Sequence, residues 1–270
     1  MYLADLHTHT ILSMDGNVPL SDMAQAAVDN GLSMLAVTDH YDMLDVNGQR
    51  NLTYNWPPAL AQYKQTLSCF RDRLDLRLGI EMGEAPVSPD HARAIIAGAG
   101  EELDVVIGSI HNYREELGGL EFYGDRFDCY EKCHMALGDY LTSMEQLVAL
   151  PDCYDILGHI NYPLRYMRRD GHPVVLLEHY KDRVAEILRT VIRTGHSMEV
   201  NTCRGLTVED WRDFLLLYRD LGGTQVTTGS DAHLPKDVGG GLRDACALIQ
   251  SCGFGHLTVY NRRQAELVKI

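Results

Sequence analysis

The sequence predicts an α/β protein, a barrel of parallel strands enclosed by helices, and three observations lead there. Short apolar runs rich in Val, Ile and Leu alternate seven times with amphipathic segments along 270 residues. That alternation implies parallel βαβ units with right-handed crossovers. No Gly-rich dinucleotide fingerprint follows the first run, which disfavours an open doubly wound sheet. Histidines and carboxylates also gather directly after the strand candidates, at the end of such barrels where reactive groups collect.

The strand candidates, in order, are 3–7, 34–38, 76–80, 105–109, 154–157, 197–201 and 225–228. Each is short and apolar, as strands covered on both faces are. The helix candidates between them are 21–30, 58–74, 89–98, 126–150, 175–194, 208–221 and 238–252. Ser21 with Asp22 behind it, Ser88 before Pro89 and Asp90, and Thr207 are N-cap candidates. Gly31, Gly195 and Gly222 stand where C-caps belong. The apolar run 257–260, followed by Arg262 and Arg263, is either an eighth strand or half of a terminal hairpin. Segments 42–56 and 112–125 are long for plain βα connections, a length typical of loops that shape a substrate site. With no linker, low-complexity tract or internal repeat, a single domain over 1–270 is expected.

Composition narrows the partners. The chain carries 24 Lys+Arg against 38 Asp+Glu, a formal net charge of −14, with 45% hydrophobic and 23% charged residues. This is an ordinary globular composition whose charge disfavours non-specific binding to nucleic acid or an anionic membrane. Residues 1–10 show no secretory pattern, and no apolar run nears the roughly 18–20 residues of a membrane helix. Seven cysteines without a CxxC pair read as reduced, mostly structural thiols of a cytoplasmic protein. Twelve histidines in so acidic a chain need a separate explanation.

Their placement supplies it. After the successive strand candidates come His7 and His9 with Asp15 beyond, then Asp39 and His40, Glu81, His111, His159, Asn201 and Arg204, and finally Asp231 and His233. Side chains two apart on extended backbone share a face, so His7 and His9 can grip one ion, as can Asp231 and His233. Asp5, one step below on that face, is a candidate to accept an imidazole proton behind a metal. His with carboxylates and no Cys suits Zn, Mn or Fe better than Ca or Mg. The other six, His91, His134, His172, His179, His196 and His256, lie in helices, loops or strand starts and read as surface or structural residues.

The segments ADLHTHT (4–10), TDH (38–40), GIEMG (79–83), GSIHN (108–112), GHINYP (158–163) and GSDAH (229–233) together resemble the motifs of the PHP (polymerase and histidinol phosphatase) family. They run in order across nearly the whole chain. The closing segment and the long helix before GHINYP look most like the stand-alone histidinol-phosphatases. The resemblance implies a distorted (β/α)7, TIM-like barrel with a three-metal centre at the C-terminal strand ends. Carried over residue by residue, it places His7, His9, Glu81 and Asp231 on one ion. Glu81 bridges to a second held by His111 and His159, and Asp15, His40 and His233 take the third. Asp15 stands where many members have His, and Asn161 where many have Asp.

Three ligand carboxylates against three divalent ions would leave the centre cationic, about +3, inside an acidic protein. That favours a small phosphorylated substrate over nucleic acid. The expected reaction is hydrolysis of a phosphomonoester, L-histidinol phosphate foremost, by direct attack of a metal-bound hydroxide. Glu81 is the bridging catalytic residue, and His40 or His233, released from the third ion, is a candidate leaving-group acid beside a metal-bound water. Arg165 and Arg204 are candidates for the phosphoryl oxygens, since a guanidinium fork matches them. Asp42, Glu84 and Glu115 are possible partners of a substrate ammonium group. An amidohydrolase would bring a bridging Lys on the fourth strand, which is missing, and a non-catalytic module would have lost ligands. The alternative that stays open is a nucleotide phosphodiesterase or exonuclease of the same family, or another small-molecule phosphoesterase.

Overall fold

The computed structural model describes residues 1–270. Seven parallel strand positions form one curled sheet, in the order β1 (Ala4–Asp5), β2 (Met34–Val37), β4 (Asp75–Gly83), β5 (Val105–Ser109), β6 (Ile156–Leu157), β7 (Ser197–Asn201) and β8 (Val226–Gly229). The sheet comes round on itself where the chain beyond β8 meets the chain beyond β1. There Leu6 N donates to Thr228 O at 3.0 Å, Asp231 N to His7 O at 2.9 Å and His9 N to Ala232 O at 2.9 Å. Helices α1 (Leu20–Asp29), α2 (Trp56–Phe70), α3 (Pro89–Ala99), α4 (Tyr130–Val148), α6 (Leu176–Thr194), α7 (Arg212–Asp220) and α8 (Leu242–Ser251) cover the outside. Their apolar faces bury Leu20, Met23, Tyr140, Leu188, Trp211 and Ile249 against the outward side chains of the sheet.

The second strand is broken, which the apolar run 34–38 did not reveal. β2 pairs with the first half of β4, and a separate β3 (His40–Asp42) pairs with the second half, His40 opposite Glu81. The break falls at Thr38 and Asp39. Asp39 accepts hydrogen bonds from Thr10 N (2.6 Å), Thr10 Oγ1 (2.9 Å) and Ser13 Oγ (2.9 Å), so its carboxylate diverts the chain. A second surprise is α5 (Tyr162–Arg169), an eight-residue helix directly after β6 that opens with Pro163 in its first turn. Its polar and apolar positions segregate as a helix requires, but eight residues are too few to stand out between the longer candidates.

The N-caps also differ from expectation. α1 starts at Leu20 with Pro19 in the cap position, and Ser21 Oγ turns to Asp22 (3.3 Å). Ser88 and Thr207 occupy cap positions without a capping bond; Thr207 Oγ1 donates instead to Asn201 O at 3.0 Å. At the other end of α6, Gly195 takes the left-handed φ of 78° that a C-cap requires, and Gly31 and Gly222 follow suit after their helices.

The tail is a hairpin, β9 (His256–Asn261) with β10 (Gln264–Lys269), outside the barrel ladder. Val259 and Tyr260 plug the barrel's N-terminal end against Ala4, Leu6, Met34, Ala36, Val105, Ile107 and Ile156. No helix is long and apolar enough to cross a membrane. The seven cysteines are unpaired, five of them buried.

Candidate active site

At the opposite end of the barrel, one carboxylate is ringed by five imidazoles. Glu81 is fully buried near the C-terminal end of the longest strand, β4. Its Oε2 lies 3.0 Å from His7 Nε2, 3.5 Å from His9 Nε2 and 3.0 Å from His40 Nδ1. Its Oε1 lies 3.2 Å from His111 Nε2 and 2.9 Å from His159 Nε2, and accepts from Ser109 Oγ at 2.7 Å. Asp231 Oδ1 stands 3.5 Å from His9 and 4.0 Å from His7. Asp15 Oδ2 lies 2.8 Å from His233 Nε2 and 4.0 Å from His40 Nε2. All nine residues singled out from the sequence therefore meet at one place. None of the six other histidines joins them.

Backbone and outer side chains aim these groups. Asp231 adopts a left-handed φ of 60°, a conformation a non-glycine residue takes at local cost. Most of the rings turn one nitrogen outward to a fixed partner: His7 Nδ1 to Glu199 Oε1 (2.6 Å), His9 Nδ1 to Ser13 Oγ (3.1 Å), His111 Nδ1 to Asp42 Oδ1 (3.1 Å) and His233 Nδ1 to the Asp231 carbonyl (3.0 Å). Such partners fix the tautomer and leave Nε2 facing inward. Asp5, expected in this role, does not fill it. Its carboxylate accepts from Ser230 N (2.8 Å) and Gly239 N (2.8 Å), fastening β1 to the turn after β8. Glu199, which takes its place behind His7, was missed, although a lone Glu inside the apolar run 197–201 is a legible signal.

The electrostatics are those of a cation site. Burial alone would strip the proton from His7, but Glu81 and Glu199 hold its pKa well above the ordinary imidazole value. His40, opposed by burial but drawn by Glu81 and Asp42, is raised to about 9. Burial together with the charges of His40 and His233 lowers His9 to about 3. Burial would raise Glu81 and Asp231, yet the facing imidazoles, His7 first, hold both well below the usual carboxylate range. Asp15 is lowered to about 2, since His233 outweighs its burial. Glu84 is raised to about 8 by burial and by Asp42. Carboxylates that hold protons on their neighbours this strongly will also attract divalent ions. The donor set fits: His7 Nε2, His9 Nε2, His40 Nδ1, Glu81 Oε2 and His233 Nε2 are all buried without a hydrogen-bond partner. Three overlapping groups, His7–His9–Glu81, His40–Glu81–His111 and His9–His40–His233, have ligand atoms close enough to share an ion.

The arginines diverge. Arg165 on α5 bonds Asp231 Oδ2 (2.9 Å) and Asn201 Oδ1 (2.8 Å) through its Nη atoms, while its buried Nε has no partner. Arg204 is exposed, with left-handed φ at it and at Cys203, and its guanidinium touches only Cys203 Sγ at 3.8 Å. Of the carboxylates offered for a substrate ammonium, Asp42 and Glu84 are engaged with His111, and Glu115 pairs with Arg50 on the surface (2.7 Å).

Comparison with known proteins gives consistent results. The model of the PHP domain family matches residues 5–203. A histidinol-phosphatase of Lactococcus lactis is 26% identical over 261 residues, covering 95% of this chain and 94% of that protein. A protein of Deinococcus radiodurans named probable histidinol-phosphatase is 30% identical over 270 residues, covering 97% and 98%. The crystal structure of the Lactococcus lactis histidinol phosphate phosphatase, complexed with zinc, L-histidinol and phosphate, superposes with a TM-score of 0.81 at 24% identity over 98% of both chains.

Proposed function

This chain belongs to the PHP domain family, and from that premise we propose that it is a metal-dependent histidinol-phosphatase, releasing phosphate from L-histidinol phosphate. The observation that carries the reading is Glu81, one buried carboxylate touched by five imidazoles, three of which (His7, His9 and His40) turn a nitrogen inward without a hydrogen-bond partner. Full-length similarity to proteins named histidinol-phosphatase supports the substrate.

Up to three divalent ions, zinc or a similar transition metal, would be held by His7, His9, Glu81 and Asp231, by Glu81, His111 and His159, and by Asp15, His40 and His233. When bound, such ions activate water near neutral pH and stabilise the attacking and leaving oxygens of an in-line displacement. The chain's own residues do the rest. Arg165 keeps a fixed positive charge and a free Nε–H beside Asp231 for the phosphoryl oxygens. His40 and His233 are the imidazoles nearest solvent, with side chains 13% and 21% exposed against 4% or less for the others. Either one, when released from the third ion and protonated, is placed to meet a departing alkoxide and supply that proton.

The test is hydrolysis by metal-replete protein of L-histidinol phosphate, other monoesters and short oligonucleotides, with elemental analysis alongside. Phosphate release should be fastest from L-histidinol phosphate, with more than one metal equivalent per chain. Cleavage of oligonucleotides without monoester hydrolysis would move the assignment to a nucleotide phosphodiesterase.

A further inference from the structure

We infer that Glu199 is a positioning residue that ties two ion positions together from behind. It lies on β7, only 1% exposed, at the back of the cluster. Oε1 receives His7 Nδ1 at 2.6 Å, and Oε2 accepts the backbone N–H of His159 at 2.8 Å. The same two imidazoles meet Glu81 on the inner side, His7 through Nε2 at 3.0 Å and His159 through Nε2 at 2.9 Å. Glu81, His7, Glu199 and His159 thus close a ring, with one carboxylate inside the site and another outside. Asn201 Nδ2 braces both Glu199 oxygens at 3.4 Å.

The neighbourhood is shaped around this contact. A Cβ at Gly229 would overlap both the His7 Cβ and Glu199 Oε1, so only glycine lets β8 pass behind the pair. Other outer side chains link different pairs: Asp42 faces His111 at 3.1 Å and His40 at 3.7 Å, and Ser13, backed by Asp39, meets His9 Nδ1 and accepts the His40 N–H. Of these outer partners, Glu199 is the one that joins the first ion position, through His7, to the second, through His159. Losing it should loosen two ion positions at once.

This inference rests on the metal-dependent reading above, and its test separates the two. Zinc affinity is measured by chelator competition on wild type, Glu199→Gln and Glu199→Asp. Thermal unfolding is followed with and without zinc. In Glu199→Gln, two zinc equivalents should weaken together by about ten- to a hundredfold, the usual cost of losing an outer partner. The third equivalent should stay tight, and the metal-free midpoint should hold near wild type. Glu199→Asp, too short to span both contacts, should recover one equivalent only. Unchanged zinc affinities in Glu199→Gln, weakening of a single equivalent, or failure of that variant to fold without metal would each overturn the inference. Wild-type protein that binds no zinc would instead remove the functional reading, and this inference with it.

Discussion

At the N-terminal end of the barrel, Asp104 and Asp155 are each 6% exposed, and Glu81 at the other end is fully buried. The lower pair is saturated. Asp155 accepts from Val106 N (2.8 Å) and Arg263 Nε (3.0 Å), and Asp104 from Leu78 N (3.0 Å) and Arg262 N (3.0 Å). These bonds also hold the hairpin turn, where Arg262 and Arg263 both take left-handed φ, a demand that Asn-Gly ordinarily meets. At the upper end, Glu81 Oε2 and four facing imidazole nitrogens are buried without partners. One end spends its buried charge on holding the fold; the other leaves it available to a ligand. Buried polar atoms lacking partners cost stability unless something binds them, so their concentration at one end marks the site.

Breaking each end should give opposite phenotypes. Glu81→Gln should lower kcat/KM by more than the roughly hundredfold that losing an outer partner costs, while the metal-free protein still folds. Near-normal turnover would show that the centre is not built on Glu81. Asp155→Ala should do the reverse. It leaves Val106 N and Arg263 without their acceptor and should cost about 2–3 kcal/mol in urea unfolding, with kcat per folded molecule unchanged.

Arg165→Lys sharpens the picture within the upper end. Losing the guanidinium fork should cost about 1.5–3 kcal/mol, ten- to a hundredfold in kcat/KM, and more for a monoester than for a model diester. Equal losses on both substrates would sink the phosphoryl assignment. Next in size is a pH effect. His40 has its folded-state pKa raised to about 9. Its contribution to metal-free stability is therefore complete below about 6.5 and fades as pH rises through about 9. Zinc requires the deprotonated ring, so zinc-induced stabilisation should grow over that same window. Unfolding midpoints with and without zinc from pH 6 to 9.5 would expose parallel curves if this is wrong. The smallest effect is expected at Arg204→Lys, within about 0.5 kcal/mol in kcat/KM, because that side chain faces solvent. A loss as large as that at Arg165 would mean the loop rearranges around substrate.

The sequence made the strands and the nine clustered residues legible for one reason. Parallel barrel strands are apolar runs, and the polar residue that ends each run lies at the same rim. Which partners meet from distant strands left no trace in spacing, even where a residue such as Glu199 stands out in its own run. Glu199 reaches His7 across 192 positions and Asp42 reaches His111 across 69, so no spacing rule finds them. Asp5 was misread for the complementary reason. Alternation gave its face, but the carboxylate met the backbone N–H groups of Ser230 and Gly239 before any imidazole. Likewise α5, only eight residues long, docks beside the site where Arg165 bonds Asp231, a contact no local pattern announces.

The seam where the chain after β8 meets the chain after β1 carries a consequence for how the molecule folds. Its hydrogen bonds join residues more than two hundred positions apart, such as Leu6 with Thr228 and His9 with Ala232. Contacts that distant carry a high loop-closure entropy and are the slow kind to form. His7 and His9 stand on one lip of this seam and Asp231 on the other, so an ion held by all three is a clasp across the last gap to close. Zinc added during refolding would then act chiefly after the transition state, slowing reopening of the barrel more than it speeds closure.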